Sequence, residues 1–192
     1  MNIKSLQFIY CFLFLGFFPT PNAFAQSITH QDGLIYYTTI AAQVKDATPK
    51  MQGLWGQVQQ SVLTAGENKT HQLDRTNLDN LKNISSQNIN DLERKIRAIS
   101  ALHETDPDLN LKELSISLLT DAKNIQQSAM PQILAVLEKG MDKINGQQTS
   151  TLKSFLSKEQ ELQYKLRDIQ NLFISYQNKH NITGEELRKF GL

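Results

Sequence analysis

The chain has 192 residues, 20 basic against 19 acidic side chains, a mean hydropathy of −0.39 and a single cysteine. Charge this evenly balanced argues against a nucleic-acid binder, whose electrostatic footprint is a basic face. One cysteine makes no intrachain disulfide, so a folded domain must rest on apolar burial.

The first 25 residues read as a secretory signal peptide: Lys4, an apolar run from Phe8 to Phe18, then Pro-Thr-Pro and Ala23-Phe24-Ala25. Small residues at minus three and minus one place cleavage after Ala25, so the mature chain begins at Gln26. The run is shorter than the roughly 20 residues of a transmembrane helix. Cys11 lies inside it, and the bulky Tyr10 before it argues against lipoprotein processing. Residues 26–182 are expected to be the folded domain and 183–192 a short tail. The expected address is outside the cytoplasm: periplasm, cell surface or medium.

The first periodic stretch runs from Ile28 to Leu63, with Leu34, Tyr37, Ala41, Val44, Thr48, Met51, Trp55, Val58 and Val62 at steps of three and four. That spacing keeps them on one helix face. Gly66 is the expected left-handed residue after its end. A second helix, Asp74 to His103, carries Leu78, Leu81, Ile89, Leu92, Ile96, Ile99 and Leu102, and Thr105-Asp106-Pro107-Asp108 makes a turn. The third, Leu109 to Ile144, presents Leu111, Leu114, Leu118, Ala122, Ile125, Ala129, Ile133, Val136 and Ile144, closed by Asn145-Gly146. The fourth opens at Thr149 or Ser150 as N-cap and shows Leu152, Phe155, Glu159, Leu162, Leu166, Ile169, Phe173 and Tyr176. Glu185 to Phe190 would add a last short turn after Asn181-Ile182-Thr183-Gly184. Four amphipathic segments with short connections predict an all-α, up-down-up-down four-helix bundle. Pairing of two helical hairpins between chains is a rival arrangement.

A di-iron bundle needs Glu-x-x-His pairs, and the sequence has none. Alternating helices would bring His30, His103 and His180 to one end, where three imidazoles could ligate zinc, nickel or copper; the stronger reading is that histidine near a helix C-terminus is favoured by the macrodipole and simply faces water. Counting along the helices places Met51, Lys82, Met130 and Glu159 at one height, beside Pro49 and Pro131. Two helix-interrupting prolines next to a seam glutamate could open a polar ligand pocket, with Lys82 as the charge partner of Glu159. Tyr36, Tyr37, Trp55, Tyr164, Phe173 and Tyr176 could line a slot, though their helical spacing reads as core. Thr48, Ser85 and Asn88 are polar residues in the seam that could fix register.

No Gly-x-Ser-x-Gly elbow, phosphate-binding glycine loop or His-Glu-x-x-His pair occurs, so no catalytic residue and no cofactor is expected. The sequence reading is a non-catalytic exported bundle that binds another envelope or surface protein or serves as an envelope component. A small-ligand or metal-binding bundle is the alternative. Near-neutral charge gives no pull toward anionic lipid.

Overall fold

The computed structural model describes residues 29–67, 72–140 and 146–192. The expected signal peptide, His71, Ile144 and Asn145 lie outside them. Among the described residues the chain is all-helical, with four long helices and one short one: α1 (His30–Glu67), α2 (Arg75–Ser100), α3 (Leu111–Lys139), α4 (Gly146–His180) and α5 (Gly184–Arg188). None of them is long and apolar enough to cross a membrane.

Local chemistry sets the ends. The Thr29 hydroxyl accepts from the Asp32 N–H at the start of α1, and the Asp74 carboxylate accepts from the Asn77 N–H at the start of α2, as side-chain caps do. Thr183 and Glu186 form a reciprocal capping box on α5. Three sequence expectations need correction. Gly66 lies within α1 rather than beyond it, and α3 ends at Gly140, which has a positive φ of 109°, rather than at Asn145-Gly146. The fourth helix starts at Gly146, so Thr149 and Ser150 are inside it rather than at its cap. A glycine before a polar run reads as a stop, but an exposed glycine costs a helix only about 1 kcal/mol, which packing can offset.

The core shares Tyr37, Val44, Met51, Val58, Leu118, Ala122 and Ile125 with the predicted stripes and adds Ile40, Ala47, Leu54 and Leu119, whereas Leu114, expected in the stripe, is exposed. Tyr37, Ile40, Val44, Ala47, Met51, Leu54 and Val58 of α1 are buried against Leu118, Leu119, Ala122, Ile125 and Ile133 of α3 and Phe155, Leu162 and Ile169 of α4. Trp55 meets Phe155 edge to face, with ring centroids 4.5 Å apart. The helices pack in the pairs α2/α3, α3/α4, α1/α2, α1/α3 and α1/α4. α1 and α3 form the short diagonal, leaving α2 and α4 at opposite corners without a comparable interface.

Pro49 and Pro131 sit inside α1 and α3, both on exposed faces, and both helices run through them. Each proline withholds an N–H from the carbonyl four residues back, Lys45 and Gln127 respectively.

Candidate functional site

The start of α1, the end of α2, the start of α3 and the end of α4 meet in a polar cluster. Tyr36 donates to Glu104 at 2.6 Å and accepts from the Lys112 N–H at 3.2 Å. Thr105 and Tyr176 share a hydrogen bond of 2.6 Å between their hydroxyls. Asp106, 4% exposed, receives Lys179 at 2.8 Å and His180 Nε2 at 2.9 Å. Burial pushes the Asp106 carboxyl up, but hydrogen bonds from Lys179 and His180 outweigh it and hold the group below the usual carboxylate range. The His180 ring stacks on Tyr176 at 4.1 Å.

His30 faces two acceptors, the His180 carbonyl at 3.1 Å from Nδ1 and Glu186 at 2.7 Å from Nε2. Both ring nitrogens must then donate, which only the imidazolium can do. The Glu186 hydrogen bond accordingly raises the His30 pKa. Glu186 in turn is held down to about 2, by the Thr183 backbone first and by His30 next. His30 and His180 thus converge as the helix count expected. Each is committed to a carboxylate, however, and His103 is exposed on the α2–α3 connection. Among the described residues no group of three or more histidine, cysteine or carboxylate side chains is placed to hold a metal ion.

The expected mid-height pocket is divided. Met51 and Met130 are both in the core, Glu159 is half-buried on α4 with its pKa raised by burial, and Lys82 is exposed on α2. Helices α2 and α4 stand at opposite corners, which explains why equal height did not bring Lys82 to Glu159. Pro49, Tyr37 and Phe173 line an apolar groove of about 420 Å³ between α1 and α4. Tyr36 and Tyr176 belong to the polar end, Trp55 to the core, and Tyr164 is exposed beneath the Arg167 guanidinium.

Lys82, Met130 and Pro131 instead share a different groove, about 550 Å³, between the first half of α2 and the second half of α3. Leu78, Met130 and Leu134 give it apolar walls, and Arg75, Asp79, Lys82 and Glu138 give it charged rims of both signs. At its base lies Gln126, fully buried, whose side-chain nitrogen and oxygen have no hydrogen-bond partner among the described residues. An amide left so is costly, on the order of 1–3 kcal/mol for each unpaired group. The contrast with the histidine end is chemical: there Asp106, Thr105, Tyr36 and Tyr176 have partners and, among the described residues, the Ser115 hydroxyl alone is left without one, while here a donor and an acceptor on one side chain lack partners beside a groove.

Sequence reasoning missed Gln126. The signal was present, because Leu119, Ala122, Gln126, Met130, Ile133 and Leu137 recur at three and four, and all six are buried. Compared with protein-family models, with curated proteins and with solved structures, the chain matches none of them.

Proposed function

We propose that residues 1–25 direct export and are removed after Ala25. In this reading residues 26–182 form an up-down-up-down four-helix bundle, with 183–192 as its tail, acting outside the cytoplasm. The meeting of alternate helix ends at the histidine cluster, and of Leu73 with Leu137 at 3.0 Å near the other end, supports that topology. The protein works by binding another macromolecule, an envelope or surface protein, rather than by catalysis.

The observation that carries this reading is the α2/α3 groove with the unpaired Gln126 amide at its base. A binding surface that completes its hydrogen bonds only with a partner is a physical reason for such an amide to persist. The groove also has the mixed apolar and polar lining that recognition sites use.

Two measurements test it. The N-terminus of the protein isolated from its host envelope should read from Gln26; an intact Met1 end on a cytoplasmic chain overturns export. A photo-crosslinking side chain placed at Ser86, on the groove rim, should give a discrete adduct in the host. The same group at the exposed Gln163 of α4 should give none. Equal labelling from both positions, or none from Ser86, overturns the groove as the binding surface.

A further inference from the structure

Resting on that reading, we infer that the occupant of the α2/α3 groove is an extended polypeptide segment, and that the Gln126 amide pairs with one of its peptide groups. The walls run from Arg75 to Ile89 on α2, a span of about 21 Å at the helical rise of about 1.5 Å per residue. That length accommodates about six residues of extended chain at about 3.3 Å each.

The choice of occupant follows from what Gln126 lacks. Both its N–H and its carbonyl are unpaired, so the complement must offer an acceptor and a donor side by side. An extended backbone does this at every residue. A docked helix has spent those groups on itself. A lipid chain has neither, and a carboxylate supplies acceptors only. Nucleic acid finds no net attraction here, since Arg75 and Lys82 on the rim are balanced by Asp79 and Glu138.

Access requires one movement. Both polar atoms of Gln126 are sealed from water, so the side chain turns outward into the groove as the segment settles. Three rotatable bonds permit this, and the neighbouring Met130 is the adaptable kind of wall. A second anchor lies beside it. Pro131 has no N–H to give the Gln127 carbonyl, and both residues line the groove. An N–H of the bound segment can fill that place, while its apolar side chains rest on Leu78, Met130 and Leu134.

The test uses the mature protein and a pool of N-acetylated, C-amidated hexapeptides randomised at all six positions, with the retained fraction read by mass spectrometry. The wild type should retain a subset rich in apolar residues, and the Gln126 side-chain NH₂ resonance should move on binding. Gln126→Leu should melt at or above the wild-type temperature, which shows that it folds, and should bind the selected peptides at least about tenfold more weakly. No retained peptide, or equal retention by folded Gln126→Leu, overturns the inference. If Ser86 still crosslinks a host protein while no hexapeptide binds, the groove remains the binding surface and the extended-segment inference alone fails.

Discussion

Lys95 offers a sharp test of how α1 and α2 are held together. Its side chain is 5% exposed, and it pairs across the helix interface with Asp46 and along α2 with Asp91 at 3.1 Å. Lys50 completes the cluster, 2.7 Å from Asp46 and 3.0 Å from Asp91. At an effective dielectric of about 20, one pair at this separation is worth roughly 5 kcal/mol before desolvation, which cancels most of it. Removing one partner of a buried pair typically costs about 3–5 kcal/mol. Here Lys50 remains on Asp91, and Asp46 is 53% exposed, so Lys95→Met should cost about 2 kcal/mol at pH 7. In a domain of this size that lowers Tm by about 4–8 °C. The effect should depend on pH. Hydrogen bonds from Lys50 and then Lys95 lower the Asp46 pKa to about 2. Burial pushes Asp91 up, but the same two lysines bring it below its usual value. Carboxylates depressed in the folded state stabilise it above their unfolded pKa of about 4, and the contribution fades as pH falls toward about 2. Thermal melts at pH 7 and pH 2 should therefore show a gap between wild type and Lys95→Met that closes or reverses in acid. A variant as stable as wild type at pH 7, or an equal gap at both pH values, would refute the reasoning.

The His30–Glu186 contact should weaken as pH rises, because a histidine with a raised pKa stabilises fully below about 6.5 and loses that contribution through its higher folded value. Hydrogen exchange at the Leu187 amide, corrected for intrinsic rate, should lose protection as pH rises above about 6.5 in the wild type but not in His30→Asn; identical profiles would exclude the link. Tyr176→Phe removes the hydroxyl that Thr105 meets in a buried site and should cost about 1 kcal/mol, so an unchanged urea midpoint would mean that Thr105 finds another partner. Leu118→Ala, at a fully buried position between helices, should cost about 3 kcal/mol through the cavity left behind. A loss under about 1 kcal/mol would show that the core collapses around the gap.

The helices were legible because their apolar residues repeat at three and four over several turns, and that pattern needs no tertiary information. Their ends were less so: Gly66 and Gly146 looked like stops, yet both are helical, while Gly140 carries the positive φ. Height along the helices is also readable, and of the three histidines expected at one end His30 and His180 are hydrogen-bonding neighbours. Which corner each helix occupies is not. That is decided by the packing of α1 on α3, and it separates Lys82 from Glu159. The acids that engage the histidines were hidden for a related reason, since Asp106 and Glu186 arrive from a turn and from a five-residue helix that stripe counting does not orient.

Polar residues set within the buried stripes are where sequence and structure part most instructively. Lys95 lies between Leu92 and Ile99 as Gln126 lies between Ala122 and Met130, and all four flanking residues are buried. As sequence the two interruptions look alike, one polar side chain in an apolar file. In the fold Lys95 finds Asp46 on the facing helix and Asp91 on its own, so its burial is explained by the protein itself. Gln126 faces a groove and finds no partner. Burial and periodicity are common to both, so neither property distinguishes a structural polar residue from a binding one. The distinction rests on where the matching donor or acceptor resides, inside the chain for Lys95 and, on the reading proposed above, outside it for Gln126.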